Sequence, residues 1–173
     1  NARLQRRIRG QKWLRTYEVK FEFGKQTDTG FIDGRVLQKS TFRGLRRHHV
    51  EQALASIQSS HQRAAFTYSG VSPGSQDAYE LAAKGPIKPA MLSAGLFYQL
   101  KCVDFSPPEV TLEITCLNED TEFIMDFVAE LGVRLKTNAT CSQIRCVRYG
   151  IFKVGDALSQ RQINLQNVLA QIV

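Results

Sequence analysis

Tyr17 and the basic residues that precede it have types and spacing that could support chemistry. Tyr17 opens the alternating stretch RTYEVKFEF, and residues 1–20 hold seven basic residues against one acid, a net +6 of the chain's total of +7. A cationic segment attracts phosphate backbones by releasing their counterions. The alternatives are a solvated basic arm without a ligand, and a Tyr17 that is only a strand-opening core residue. We predict nucleic-acid contacts from Arg3, Arg6, Arg7, Arg9, Lys12 and Arg15.

The remaining chemistry-bearing residues fit no familiar site. The sequence has no catalytic triad, Walker loop or dinucleotide fingerprint, and GFIDG lacks the Lys-Ser/Thr ending and the helix of a phosphate loop. Four cysteines show neither a CxxC pair nor a His at zinc spacing, so we predict reduced, mostly buried thiols in an intracellular compartment. We therefore expect no metal site. No apolar run approaches the length of a membrane span.

Periodicity indicates the elements that must position these residues. Tyr17, Val19, Phe21 and Phe23 alternate with charged residues, which predicts a half-buried strand. We predict further strands at 35–37, 96–105, 110–116 and 141–154, helices at 45–61, 76–84, 121–135 and from 164, and a loop at 66–75. Strands and helices mix without strict βαβ alternation, which favours an α+β domain.

Four stretches in order carry a family resemblance. RTYEVKFEFGKQTDTGFIDGRV, SSHQRAAFTYSGVSPGSQDAYELAAKG, PPEVTLEITC and AELGVRLKTNATCSQIRCVRYGIFKV resemble the TruB-type pseudouridine synthases, and most of all their divergent mitochondrial branch. The resemblance covers residues 15 to about 158. It implies a mixed, mainly antiparallel sheet flanked by helices, as in part of the pseudouridine synthase core. It also implies a basic leader at 1–15 and a partial synthase domain at 16–173.

The resemblance implies an RNA-modifying isomerase that works without a cofactor. Such an enzyme converts uridine to pseudouridine in tRNA, mRNA or rRNA, and must extrude the target base to reach it. Tyr17 matches the family's base-stacking Tyr, and Arg145 and Arg148 of IRCVRYGIF are expected to contact RNA. The branch implies a mitochondrial location.

Several positions depart from the family pattern. The family's nucleophilic Asp lies upstream of the Tyr, and neither Asp28, Asp33 nor Asp104 has its context. Met125 falls where the family places the Arg that pairs with this Asp, and Phe31 replaces an acidic residue. Two interpretations stay open: part of an active synthase whose Asp-bearing segment is absent from this sequence, which starts without Met, or an inactive relative that binds RNA or assists mitochondrial ribonucleoprotein assembly.

Overall fold

The chain folds into two antiparallel sheets and four helices in the part that the structure describes. The structure, a computed structural model, describes residue 3, residue 6 and residues 13–89 and 95–170. In chain order the elements are β1 (Arg15–Phe23), β2 (Lys25–Thr27), β3 (Val36–Lys39), α1 (Arg47–Tyr68), α2 (Gln76–Ala83), β4 (Leu96–Ser106), β5 (Glu109–Leu117), α3 (Thr121–Arg134), β6 (Ala139–Tyr149), β7 (Phe152–Lys153) and α4 (Leu165–Ala170), with 3-10 helices at Val154–Asp156 and Gln160–Gln162.

The main sheet has five strands in the order β4-β5-β1-β6-β7, and β1 lies at its centre. Tyr17 pairs with Ile114 on β5 and with Cys146 on β6. The pairing of β1 with β6 is interrupted between Thr16 and Tyr17, where β6 carries one extra residue. Such a bulge rotates the side chains beyond it onto the other face of the sheet.

One face of the sheet packs against α1 and α3. Alternation along β1 places Val19, Phe21 and Phe23 on this face, where all three are buried. Helix α3 begins because the Asp120 side chain accepts a hydrogen bond from the Phe123 amide, which satisfies a free donor of the first turn. The helices contribute Val50, Leu54, Ile57, Ile124, Phe127, Val128 and Leu131 to the core.

The polar loop between β2 and β3 is attached to β6. The Cys141 amide donates to the Gly30 carbonyl at 3.0 Å, and the Ile32 amide donates to the Cys141 carbonyl at 2.9 Å. At the base of the loop, the Asp28 carboxylate accepts from the Arg35 amide at 2.9 Å. Because Cys141 pairs with Phe21, the loop joins β6 at the level of Phe21, four residues along β1 from Tyr17.

The α+β class and its antiparallel sheet are confirmed, while two element boundaries were wrong. Helix α1 continues to Tyr68, so residues 66–68 are helical and not loop, and the chain turns away after the helix at Gly70, whose φ is +71°. The predicted strand 141–154 is divided, because Gly150 adopts a φ of +60° and turns the chain into β7. The 35–37 strand exists but pairs with β2. The division into residues 1–15 and 16–173 stays a prediction, although Arg15 already lies in β1.

Candidate functional site

Tyr17 lies at the start of β1 in a hydrogen-bonded cluster with Arg15 and Glu119. The Tyr17 hydroxyl donates to Glu119 Oε1 at 2.8 Å, and Arg15 Nη1 donates to the same oxygen at 2.9 Å. The Arg15 guanidinium also lies over the Tyr149 ring, 4.7 Å from its centroid. Alternation along β1 places Arg15 and Tyr17 on one face, so their side chains converge on a single carboxylate. The hydrogen bond to Glu119 fixes the hydroxyl end of the half-buried Tyr17 side chain.

Glu119 is the functional candidate that the sequence analysis missed. It lies between the end of β5 and the Asp120 cap of α3, and its side chain is only 1% exposed. A buried carboxylate is costly unless charge and hydrogen bonds compensate it, and here Arg15 and Tyr17 supply both. The only signal in the sequence was a lone acid between an apolar strand and a helix cap, which does not reveal burial.

Tyr17 acts as a donor in this cluster. Burial, followed by the hydrogen bond to Glu119 and that residue's negative charge, raises the pKa of Tyr17 well above its usual value. The phenol is therefore neutral at physiological pH. Its hydroxyl is engaged with Glu119, so the ring is the part of the side chain available to a ligand.

Arg145 and Arg148 lie on the opposite face of the sheet from Tyr17. Arg145 pairs with Glu18 and Arg148 pairs with Thr16, and both arginines are exposed. Arg148 Nε donates to the Gly150 carbonyl at 2.9 Å, which holds its side chain along the β6–β7 turn. The structure thus groups Arg15 with Tyr17 and separates Arg145 and Arg148 from them.

The leader residues are only partly described. Arg3 and Arg6 are exposed. Three further predicted RNA contacts lie outside the described residues: Arg7, Arg9 and Lys12.

The two departures from the family pattern lie side by side. Met125 is half-buried on α3 and packs against the β2–β3 loop, where a Cβ on Gly30 would lie 3.3 Å from the Met125 sulfur. Phe31 follows Gly30 and also packs against the core. Apolar side chains therefore occupy both positions where the resemblance expects an Arg and an acid.

Two of the three aspartates considered for catalysis accept hydrogen bonds from nearby residues of the fold. Asp28 accepts from the Arg35 amide, and Asp104 accepts from the Ser106 hydroxyl at 3.1 Å. Asp33 is exposed in the loop. None of them contacts Tyr17 through any hydrogen bond within the described ranges.

The sequence predicts reduced, mostly buried cysteines and indicates neither a metal site nor a membrane span. All four cysteines are free thiols; Cys102, Cys116 and Cys141 are buried and Cys146 is exposed. Among residues 13–89 and 95–170, no three His, Cys, Asp or Glu side chains are grouped to hold a metal ion. No helix in these ranges is both long and apolar enough to cross a membrane.

Comparison with known proteins extends the resemblance. The family model "TruB family pseudouridylate synthase (N terminal domain)" matches residues 2–121. "Pseudouridylate synthase TRUB2, mitochondrial" of Mus musculus is 40% identical over 152 residues, 88% of this chain and 46% of that protein. The Xenopus tropicalis protein of the same name is 34% identical over 92% of this chain and 49% of its own length.

Bacterial proteins match over the same region at lower identity. "tRNA pseudouridine synthase B" of Caldicellulosiruptor saccharolyticus is 24% identical over 90% of this chain and 53% of its own. A chain of the solved "Cbf5-Nop10-Gar1 Complex" aligns with a TM-score of 0.48 at 10% identity, over 86% of this chain and 34% of its own, and carries no weight here. The chain spans about half the length of the curated relatives it matches. The family match confirms the resemblance: this chain belongs to the TruB family of pseudouridine synthases.

Proposed function

We propose that the protein containing this chain isomerises uridine to pseudouridine in RNA, and that Tyr17 stacks on the extruded uracil. The cluster of Arg15, Tyr17 and Glu119 carries this proposal. Base–aromatic stacking needs a ring held in a fixed plane, and a hydroxyl anchored to a buried carboxylate restricts the ring's movement. Glu119 is then a positioning residue that acts through Tyr17 and Arg15.

The reaction breaks the bond between C1′ and N1 of uridine and forms a bond between C1′ and C5; C5 releases its proton and N1 takes up a proton, so the overall change is an isomerisation. A neutral Tyr17 contributes to this sequence by binding the base. We propose that the nucleophilic Asp of the family is supplied by a segment outside this sequence, because no described aspartate contacts Tyr17. Arg3, Arg6, Arg7, Arg9, Lys12 and Arg15 are proposed to contact the RNA backbone, together with Arg145 and Arg148.

A second function is supported by the contact between Met125 and the β2–β3 loop. Apolar packing at Met125 and Phe31 removes the charged groups that the family pattern places there. A protein without these groups would bind RNA without modifying it, for example within a mitochondrial ribonucleoprotein assembly. In this alternative Tyr17 still stacks on a base, but the protein does not isomerise uridine.

Tritium release from RNA labelled at C5 of uridine distinguishes the two functions. We expect the full-length protein to release tritium, Tyr17→Ala to lose most of the release, and residues 1–173 alone to release none. Tyr17→Phe keeps the ring and loses the bond to Glu119, so it is the matched control for stacking. RNA binding without tritium release by the full-length protein would support the second function.

The salt dependence of RNA binding tests the charge argument, which both functions share. Neutralised phosphates release counterions, so affinity should fall steeply as salt increases, and fall again when residues 1–12 are deleted. A flat salt response would contradict RNA binding. We also propose a mitochondrial location, because the vertebrate relatives carry that word in their names; cell fractionation tests it.

A further inference from the structure

A groove lies on the face of the sheet opposite Tyr17, at the same end of β1. Its volume is about 580 Å³, and it crosses the first residues of β1, the middle of β4 and β5, and the turn between β6 and β7. Its lining includes Trp13, Lys88, Gln99, Arg148 and Lys153. The site described above uses only Arg148 of these residues.

Trp13 forms a fixed aromatic wall of this groove. The indole lies against Gly150, so closely that a Cβ at position 150 would overlap the ring. The Gly150 amide donates to the Leu14 carbonyl at 2.8 Å, which ties the chain beside Trp13 to the β6–β7 turn. Gly150 also adopts a φ of +60°, a conformation that side chains rarely tolerate. The indole is therefore held in place by backbone that only glycine suits.

The polar lining suits a nucleotide. Lys88, Arg148 and Lys153 are exposed, and none of them takes part in an ion pair in the described part of the chain. The lining has one acid, Glu113, against these three cations. Gln99 is exposed on the floor, and beside it the Thr16 and Thr115 hydroxyls form a hydrogen bond at 3.1 Å.

Proteins bind single-stranded nucleic acid with aromatic rings beside cationic side chains, and this groove adds the amide of Gln99. The ring stacks on a base of any identity, the cations contact phosphates, and the amide can bind a base edge. A purely structural account explains the packing of Trp13 on Gly150 but not three unpaired cations around it.

We propose that this groove binds a nucleotide of single-stranded RNA, with a base on Trp13 and phosphates on Lys88 and Lys153. The proposal rests on the proposed function, because it assigns an additional contact for the same RNA. Trp13 precedes β1 and Tyr17 is the third residue of that strand, so both aromatic rings lie near the start of β1.

Trp13 is the only tryptophan in this sequence, so the difference in fluorescence between the wild type and a Trp13→Phe variant of the full-length protein reports on this ring. We would titrate the full-length protein with a short oligouridine and record quenching, with Trp13→Phe as the control that assigns the signal to this ring. Stacking predicts quenching in the wild type that is absent in Trp13→Phe. Quenching that is unchanged in Trp13→Phe, or absent in a wild type that binds the oligomer, would overturn the proposal.

The RNA affinities of single variants distinguish the contribution of stacking from that of charge. Trp13→Ala should weaken oligouridine binding by about tenfold with an unchanged salt slope. Lys88→Ala, at an exposed position that should not affect folding, should reduce the slope of log K against log salt by about 0.7. Lys136→Ala, which removes an exposed cation beyond the far end of β1, should leave the slope unchanged.

Two failures remain distinguishable. If the wild type binds oligouridine while Lys88→Ala and Lys136→Ala have equal effects on the slope, the groove is not a site and the proposed function stands. If the wild type does not bind RNA at any salt concentration, the proposed function itself fails.

Discussion

Replacing Arg15 should destabilise the protein far more than replacing Glu119, although both changes break the same ion pair. The Glu119 side chain is 1% exposed, whereas the Arg15 side chain is 35% exposed. Arg15→Met leaves a buried carboxylate with one hydrogen bond, and removing the partner of a buried charge costs about 3–5 kcal/mol. Glu119→Gln leaves Arg15 in contact with water and keeps an oxygen for the Tyr17 hydroxyl. We expect this change to cost only about 1–2 kcal/mol.

Urea unfolding followed by circular dichroism measures these costs as changes in the free energy of unfolding. The double variant Arg15→Met/Glu119→Gln removes the buried charge together with its partner. Its cost should lie closer to that of Glu119→Gln than to the sum of the two single changes. Lys20→Met, which removes an exposed cation from the same strand, is the matched control and should change stability by less than about 0.5 kcal/mol.

Two results would refute the reasoning. Equal costs for Arg15→Met and Glu119→Gln would mean that Glu119 is not a desolvated carboxylate. Strict additivity in the double variant would mean that the Arg15 and Glu119 side chains do not interact.

Three further predictions concern residues elsewhere in the fold. Burial lowers the pKa of His61, and the negative charge of Glu130 opposes this with a smaller effect. Because the unfolded chain binds the proton more readily, the melting temperature should fall as pH drops from 7 to 5. His61→Phe should flatten that decline, while His48→Phe should not. Met125→Arg should reduce the free energy of unfolding by about 1–3 kcal/mol, because it places a charge at a half-buried position. Adding Phe31→Asp should restore part of this loss by supplying an opposite charge. A double variant less stable than Met125→Arg would contradict the proximity of the two positions. Burial raises the pKa of Tyr98 to about 12, so the alkaline absorbance titration should lose a component near pH 12 in Tyr98→Phe. The stability that neutral Tyr98 contributes below pH 10 should be lost as pH rises through 12.

The sequence predicted the elements around the site better than the site itself. The period of two in β1 and the apolar stripe of α3 follow from local residues, and both elements appear where they were expected. The contact between Tyr17 and Glu119 joins residues 102 positions apart, so no local pattern contains it. The positions of Arg145 and Arg148 depended on one bulge. Without it, residues three apart on a strand would face opposite sides, and with it both lie away from Tyr17.

The altered positions and the positions that we propose to contact RNA lie at different places along β1, and this separation links the two proposed functions. Met125 and Phe31 lie where the β2–β3 loop joins Cys141, opposite Phe21. Tyr17 and the Trp13 groove lie at the start of the strand, about 13 Å away for the four residues from Tyr17 to Phe21. We therefore expect RNA affinity to be retained in variants of Met125 and Phe31 that still fold, whatever these changes do to tritium release. An RNA affinity that falls with Met125→Leu as far as with Tyr17→Ala would show that the two places act as one site.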